Sequence, residues 1–299
     1  DGDGGDRYSE ISQALHHFAL EDSLIAKLSF QLEKKRYLSI DQPMSHNPLW
    51  VCGLARAGTT ILTDVLYETG HFTSLTYRDM PFPLAPNFWR MLSRFGIGGS
   101  REKIERAHGD GLMVNIDSPE ALEEVFWRAH EPMIYQSSYL DGQTVLSPNS
   151  LKGLEKYIAL ILKANLRKQD EHASRYLSKN NNHLIRLPAL LAHFPQAQII
   201  IPLRHPLEHA ESLRRQHERW VNRHEEDRFS QSYMTWLAHH EFGSGHKPFR
   251  FTDPLDDSQQ STESPDHIVY WAERWFDAYT LIDSLSSSQL VMIDYDDLS

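Results

Sequence analysis

The spacing of hydrophobic residues predicts helices that alternate with short buried strands. Apolar residues recur at three- and four-residue intervals over 8–37, 150–168 and 267–284, which predicts amphipathic helices. The apolar face of the first helix comprises Ile11, Leu15, Phe18, Leu24, Ile25, Leu28 and Leu32. Short apolar runs predict strands at 49–53, around 176–179, at 197–204 and at 290–295. Such alternation is typical of a parallel sheet covered on both faces, so we expect an α/β fold with a central parallel sheet flanked by helices.

Turn and capping residues predict where several elements end. A helix after residue 58 is expected to stop at Gly70, a natural left-handed C-terminal residue. Its apolar face comprises Ile61, Leu62, Val65 and Leu66. Another helix is predicted to begin at Ser118, because serine is a good cap and Pro119 and Glu120 suit the first helical turn. The segment FTSLTYRD predicts a short strand that ends near Asp79.

The organisation of the chain is simple. Residues 1–47 are expected to form an N-terminal helical segment, and residues 48–299 the main domain. Within that domain, the polar segment 243–266 is rich in Gly, Ser and Pro and predicts a surface loop or lid. No apolar run approaches the ~18–20 residues that a membrane span requires, so no membrane span is expected.

Composition narrows the class of protein. Of the 299 residues, 40% are hydrophobic and 24% are charged, which is ordinary for a soluble globular chain. The formal net charge of −11 argues against a nucleic-acid partner, because such proteins need a basic face. The single cysteine, Cys52, excludes an internal disulfide, which fits a reducing compartment or a disulfide-free secreted protein. We expect a cytoplasmic protein with Cys52 buried in a strand. The 17 histidines lack metal-ligand spacing, so no metal site is expected.

The stretch LWVCGLARAGTTILTDVLYETG, residues 49–70, has the layout of a strand, a glycine-containing turn and a helix. In such a turn the glycines let the backbone approach an anion, which the N–H groups of the helix N-terminus bind. Gly53, Gly58 and Thr60 fit this layout, and Arg56 adds a positive charge within the turn. A nucleoside-triphosphatase loop has a lysine directly after the second glycine, whereas this chain has Thr59. The alternative is an ordinary strand-to-helix turn.

A second candidate phosphate site follows the strand IIIPLR. Arg204 ends this strand, Pro206 comes directly before the next helix pattern, and Ser212 lies on that helix. Open α/β sheets bind ligands at the carboxyl ends of their strands, so Arg204 and Ser212 are predicted to converge on one phosphate. Because Arg and Ser are common residues, the prediction depends on the two strand–helix turns taken together.

These motifs resemble the family of sulfotransferases that use 3′-phosphoadenylyl sulfate (PAPS). GLARAGTTIL matches the family's 5′-phosphosulfate loop, G-x-P-R-S-G-T-T, and LRHPLEHAES matches its 3′-phosphate element, R-x-P-x5-S. RYLSKNNNHLIRLPALLAHFPQAQIIIPLRHP has the expected order of a lysine-bearing strand, a helix and the 3′-phosphate strand, and LVMIDYDDL resembles the late strand. The resemblance implies a P-loop NTPase-like three-layer sandwich. It is nearer to the tyrosylprotein and bacterial carbohydrate branches than to the cytosolic branch.

The resemblance implies a role for each matching residue. Lys179 matches the lysine that faces the bridging oxygen of the leaving group in tyrosylprotein-type members. Arg204 and Ser212 would bind the 3′-phosphate. The residues that would cradle the 5′-phosphosulfate are those of the loop: Arg56, Ala57, Gly58, Thr59 and Thr60.

A general base must also accept the proton of the acceptor hydroxyl or amine. In the tyrosylprotein and bacterial carbohydrate branches it is a carboxylate beyond the loop helix, and Asp79 is such a residue here. The alternative is that Asp79 pairs with Arg78 or caps a turn. The cytosolic branch uses a histidine, which makes His108 and His130 reserve candidates. A cluster of mostly acidic residues lies near a predicted helix start: His108, Asp110, Asp117, Glu123 and Glu124. We interpret it as a solvated helix face, and a role in binding the acceptor is the alternative.

Several positions depart from the family pattern. Ala55 and Ala57 replace the usual Pro and Ser of the loop, and His205 stands where Asp is common. Ile61 occupies the position of an adenine-stacking Trp in cytosolic members. Family members often continue beyond the point where DYDDLS ends this chain, so a chain shortened at its C-terminal end is expected.

The sequence thus predicts a PAPS-dependent sulfotransferase that acts, without a metal, on a hydroxyl or amine of a small molecule or glycan and releases 3′,5′-ADP. A P-loop kinase or NTPase is the alternative from another enzyme class. Thr59 in the lysine position and the lack of a clear acidic strand end for Mg²⁺ oppose it. A catalytically silent nucleotide-binding protein of the same fold is the third possibility, opposed by Lys179 and Asp79.

Overall fold

A computed structural model describes residues 10–39, 47–93, 104–105, 113–114, 117–165, 175–252 and 261–298. Its helices are α1 (Glu10–Leu20), α2 (Ser23–Tyr37), α3 (Thr59–Glu68), α4 (Pro86–Ser93), α5 (Glu124–His130), α6 (Pro148–Asn165), α7 (Leu187–His193), α8 (Pro206–Glu226), α9 (Arg228–Trp236) and α10 (Ile268–Ser284). Its strands are β1 (Leu49–Val51), β2 (Phe72–Thr73), β3 (Ile104–Glu105), β4 (Met113–Val114), β5 (Leu140–Asp141), β6 (Arg175–Lys179), β7 (Gln198–Leu203), β8 (Phe249–Arg250) and β9 (Leu290–Asp294). None of the helices described is both long and apolar enough to cross a membrane.

The central sheet has five parallel strands in the order β2-β6-β1-β7-β9, so the predicted α/β fold is confirmed. In the register of this sheet, Val51 lies between Lys179 on one side and Ile200 on the other. The carboxyl ends of β1, β6 and β7 therefore meet at one edge. The predicted loop, the lysine-bearing strand and the strand before Arg204 all end there.

Strand β1 is buried on both faces. The side chains of Leu49 and Val51 belong to a small cluster with Leu62 of α3, whereas Trp50 belongs to the main core. Successive side chains of a strand point to opposite faces, so helices must cover both sides of this sheet. The main core also takes in Phe30 of α2, which packs edge-to-face on Phe126 of α5.

The single helix predicted for 8–37 is wrong, because the structure has two helices there. Helix α1 ends at Leu20. The carboxylate of Asp22 then accepts a hydrogen bond from the N–H of Leu24, 2.7 Å away, and caps α2. The apolar face proposed from the spacing is only partly buried. Its exposed members are Phe18, Leu24, Leu28 and Leu32.

The helix start predicted at Ser118 is also wrong, since α5 begins at Glu124. Residues 117–120 instead pair with residues 75–77 as extended chain. The N–H of Tyr77 donates to the carbonyl of Ser118 at 3.3 Å, and the N–H of Glu120 donates to that of Leu75 at 3.0 Å. The strand predicted to end near Asp79 is correspondingly short, because only β2 joins the sheet and residues 77–79 form a 3₁₀ turn.

The solvated helix face predicted around residues 123 and 124 is wrong as well. Glu123 is fully buried and accepts hydrogen bonds from the Trp50 and Trp127 ring nitrogens, both at 3.1 Å, and from the Tyr176 hydroxyl at 2.8 Å. Burial opposes ionisation, but His183 at 2.8 Å and the hydrogen bonds from Tyr176 and Trp127 lower the pKa of Glu123 to about 2. A buried charge is tolerated because each oxygen is hydrogen-bonded. Of the other members of that group, 108 and 110 lie outside the described residues.

The remaining element predictions hold with small changes at their ends. Helix α6 covers most of the predicted 150–168, and α10 covers the predicted 267–284. Helix α3 ends at Glu68, and Gly70 has a φ of +77° as expected for a left-handed C-terminal residue. Val65 is exposed, so the buried face of α3 is narrower than predicted. Part of the predicted lid is the strand β8, which pairs with β5, while 253–260 lie outside the described residues.

Candidate active site

The loop between β1 and α3 adopts unusual backbone angles. Gly53 and Gly58 have φ values of +146° and +91°, and Arg56 has a φ of +69°, which is uncommon for any residue except glycine. Directly after Gly58 the helix begins, and the N–H of Leu62 donates to the carbonyl of Gly58 at 3.0 Å. The first N–H groups of a helix have no partner within it, so this turn leads into a helix end whose geometry suits an anion.

Gly58 also lies directly under the C-terminal turn of the chain. A Cβ atom placed on Gly58 would be 3.0 Å from the Tyr295 ring and 3.1 Å from Leu298. A glycine is therefore required here for two separate reasons, its left-handed φ and the close approach of Tyr295. The segment after β9 thus packs on the loop after β1.

Lys179 reaches this loop from the neighbouring strand. It is the last residue of β6, and its Nζ lies 3.2 Å from the Oγ1 of Thr60, to which it donates. The register of β6 against β1 produces this contact, because it pairs Lys179 with Val51, two residues before Gly53. The structure therefore brings Lys179 together with the loop residues that the sequence singled out.

Arg204 reaches the same loop from the other side. It directly follows β7, and its Nη1 donates to the carbonyl of Arg56 at 3.4 Å. Its guanidinium lies over the Tyr295 ring, 4.7 Å from the centroid, and its Nη2 is 3.8 Å from Glu208. Its Nε is buried without a hydrogen-bond partner among the described residues. A buried N–H donor of a cation is a suitable group for an anion.

His209, which no sequence motif assigned to the site, connects α8 to the loop after β1 by a hydrogen bond. Its Nε2 donates to the carbonyl of Ala55 at 2.7 Å, and the side chain is buried. Burial lowers the pKa of His209 to about 4, and the charges of Arg204 and Arg56 act in the same direction. The imidazole is thus neutral at pH 7 and donates from Nε2.

Ser212 is half-buried in the second turn of α8. In the part of the chain that the structure describes, no hydrogen bond joins it to Arg204. Their shared binding of one phosphate therefore stays a prediction. Tyr295, which no sequence motif assigned to this site, also contacts Arg204. LVMIDYDDL shows that Tyr295 follows the last strand, but it does not show this contact.

Asp79 has the environment of a structural carboxylate. It is fully buried, and Arg90 donates to both of its oxygens, from Nε to Oδ1 at 2.6 Å and from Nη2 to Oδ2 at 2.7 Å. The N–H of Thr76 also donates to Oδ2 at 2.9 Å, which closes the turn. Arg78 pairs instead with Asp117. The base role of Asp79 stays a prediction, and these contacts argue against it, because a base needs a lone pair that faces the acceptor.

The remaining candidates lie elsewhere. His130 stacks on Phe126, and its Nδ1 is 2.9 Å from the carbonyl of Phe126, within its own helix. Residue 108 lies outside the described residues. Cys52 is fully buried just after β1, and burial raises the pKa of its thiol, which suits a packing role. Among the described residues no group of three or more His, Cys, Asp or Glu side chains could hold a metal ion.

Comparison with known proteins agrees with this arrangement of strands and loops. The crystal structure of sulfotransferase STF1 from Mycobacterium tuberculosis H37Rv aligns with a TM-score of 0.51 at 17% identity, covering 99% of this chain and 74% of that chain. That of sulfotransferase STF9 from Mycobacterium avium aligns with a TM-score of 0.43 at 15% identity, covering 98% and 82%. No curated protein gives a significant match.

The first of these structural likenesses shows a common fold. A model of the sulfotransferase family also matches the sequence over residues 48–253, which is more than half of the 299-residue chain. The match includes the loop after β1, Lys179, Arg204 and the start of α8. This chain therefore belongs to the sulfotransferase family.

Proposed function

We propose that the protein transfers a sulfuryl group from PAPS to a hydroxyl or amine of a small molecule or glycan and releases 3′,5′-ADP. The observation that carries the proposal is the convergence of two cations on one loop. Lys179 contacts Thr60 from β6, and Arg204 contacts the carbonyl of Arg56 from the end of β7. A transferase of this kind needs fixed positive charge at the place where a phosphate leaves.

The residues present fit a donor of this kind. Arg204 offers a buried Nε donor, and the turn through Gly58 opens the start of α3 to an anion. The N–H groups of residues 57–60 and the Arg56 side chain would hold the 5′-phosphosulfate, and Arg204 with Ser212 would hold the 3′-phosphate. PAPS supplies a sulfuryl group joined to a good leaving group, the phosphate of 3′,5′-ADP.

The chain's own cations would stabilise the charge that develops during transfer. Lys179 is placed by the sheet register and Arg56 by the loop backbone, so neither has to reorganise when the phosphate oxygen gains charge. Holding donor and acceptor in line lowers the entropic part of the barrier. Lys179 is accordingly expected to act mainly on turnover, and Arg204 mainly on nucleotide binding.

Nucleotide binding tests the donor assignment. We expect 3′,5′-ADP to raise the melting temperature well above the shift produced by AMP or by ATP with Mg²⁺, because only 3′,5′-ADP carries the 3′-phosphate. Arg204→Ala should abolish this preference, whereas Arg215→Ala, at an exposed arginine on α8, should keep it. Equal shifts for AMP and 3′,5′-ADP would contradict the assignment, and a preference for ATP with Mg²⁺ would favour an NTPase.

Turnover then separates an enzyme from a catalytically silent binding protein. With labelled PAPS and a panel of hydroxyl and amine acceptors, the wild-type protein should form labelled product. Lys179→Ala should lower that rate by about 100-fold or more, since one electrostatic donor is commonly worth that much, and it should leave the 3′,5′-ADP shift mostly intact. Selective 3′,5′-ADP binding without transfer to any acceptor or to water would favour the silent protein.

A further inference from the structure

A narrow cleft, with about 30 Å³ of space open to water and about 420 Å³ when its open mouth is counted, lies beside the proposed donor site. Three elements of that site border it. Leu54 and Ala55 belong to the loop after β1, Asn182 comes three residues after Lys179, and Leu213 directly follows Ser212. The cleft therefore opens at the same edge of the sheet as the two cations, where ligands of open α/β folds bind.

Glu241 lines this cleft and is hydrogen-bonded to the 3₁₀ turn that follows β6. The amide nitrogen of Asn181, two residues after Lys179, donates to its Oε1 at 3.1 Å. Glu241 is half-buried and lies in the segment that follows α9. Asn181 thereby holds one carboxylate oxygen and orients the other, and it places the carboxylate close to the strand that carries Lys179.

Two other carboxylates near the sheet edge are already saturated. Asp79 is fully buried and receives three short hydrogen bonds from Arg90 and Thr76. Glu124 is also buried, and Arg186 donates to both of its oxygens. A carboxylate in a buried pair with arginine loses that pairing if it takes a proton, which is costly. Glu241 has no such arginine partner among the described residues.

We propose that the cleft binds the acceptor and that Glu241 is the general base, an inference that rests on the proposed sulfuryl transfer. The acceptor oxygen forms a bond to sulfur, and its proton passes to the carboxylate of Glu241. The bond between sulfur and the bridging phosphate oxygen breaks, and its electron pair stays on the phosphate of 3′,5′-ADP. Glu241 then returns its proton to solvent.

The lining of the cleft defines the acceptor class. Seven of its thirteen lining residues are apolar, among them Leu54, Leu140, Leu213, Phe249 and Trp271, and Lys247 and Arg274 line it together with Glu241. Ligand sites that combine an apolar lining with a few placed polar groups suit molecules of the same character. The acceptor is therefore a hydroxyl on an aromatic or aliphatic body, and an unsubstituted sugar is a poor match because its other hydroxyls would lose their hydrogen bonds to water.

Glu241→Gln tests the base, because glutamine keeps an oxygen for Asn181 and removes the basic group. Sulfuryl transfer from labelled PAPS to 2-naphthol, and the slower transfer to water, should both fall by about 100-fold or more. The melting temperature and its shift with 3′,5′-ADP should be unchanged. Glu241→Asp should retain more activity than Glu241→Gln, and Glu226→Gln, an exposed carboxylate on α8, should behave as the wild type.

Binding tests the cleft without turnover. 2-Naphthol should bind the complex with 3′,5′-ADP, detected by saturation-transfer NMR, and Phe249→Ala should weaken that binding by about five-fold or more. N-acetylglucosamine should bind far more weakly. Mutual exclusion of 2-naphthol and 3′,5′-ADP would assign the cleft to the donor and overturn the inference, as would wild-type rates in Glu241→Gln. Failure of 3′,5′-ADP to bind selectively would instead overturn the proposed function.

Discussion

The guanidinium of Arg204 lies over the ring of Tyr295, 4.7 Å from its centroid. One residue follows β7 and the other follows β9, and these two strands are neighbours in the sheet, with Leu203 paired with Asp294. The same tyrosine approaches Gly58 in the loop. Tyr295 therefore joins both proposed phosphate-binding elements and positions the arginine between them.

Tyr295→Leu is expected to weaken 3′,5′-ADP binding about five-fold. A cation over an aromatic face is worth about 1 kcal/mol at a partly exposed site, and its loss lets the arginine side chain move. Tyr295→Phe keeps the aromatic face and should remain within about two-fold of the wild type. Isothermal titration of the three proteins checks this, and equal weakening by Phe and Leu would show that the hydroxyl matters instead.

Gly58→Ala should lower the free energy of unfolding more than Gly70→Ala does. Both glycines have positive φ, +91° and +77°, but only Gly58 has neighbours within 4 Å of an added Cβ. The strain of a left-handed alanine costs about 1–2 kcal/mol in each, and crowding against Tyr295 adds about 1–3 kcal/mol in the first. Urea unfolding measures the difference, and 3′,5′-ADP affinity should fall only in Gly58→Ala. Equal losses of stability would contradict the close packing of the C-terminal turn.

Asp79→Asn is expected to lower stability by about 3 kcal/mol, because it leaves the Arg90 charge without its buried partner. Asp117→Asn is the matched control, since its pair with Arg78 is exposed, with 58% of the Asp117 side chain accessible. Asp117→Asn should lower the free energy of unfolding by less than about 1 kcal/mol. Urea unfolding of both variants decides the role of Asp79. Unchanged stability together with lost turnover would restore Asp79 as the base.

Stability should decrease as the pH falls from about 6.5 to about 4, in part because of His209. Its pKa is lowered to about 4 in the folded protein, so the unfolded chain binds the proton more readily within that window. Between pH 7 and pH 5 this one group is expected to remove about 2 kcal/mol. His209→Gln, which keeps a donor for Ala55, should reduce the pH dependence by that amount in urea unfolding. If the pH dependence of the free energy of unfolding is the same in His209→Gln as in the wild type, other buried histidines cause it.

Local sequence patterns predicted the strands β1, β6, β7 and β9 of the central sheet and the helices α3, α6 and α10, because apolar spacing is strong in those segments. These patterns gave wrong helix bounds where a contact with a distant residue replaced the expected local hydrogen bond. Ser118 has the pattern of a helix cap, yet its carbonyl pairs with Tyr77, and the helix begins only at Glu124. The apolar periodicity of 8–37 continues through the break that Asp22 caps, so spacing alone gave one helix.

The order of strands and loops along the sequence predicted which residues lie at the carboxyl edge of the central sheet. Parallel strands end on the same side, so the loop after β1, Lys179 and Arg204 had to meet once the strands were recognised. The pairing of the carboxylates, by contrast, follows from contacts between distant parts of the chain. Arg90 saturates Asp79, whereas Asn181 binds Glu241 from 60 positions away. Such pairings depend on how helices pack across the sheet, and no local pattern encodes them, because each partner is compatible with many positions along the chain.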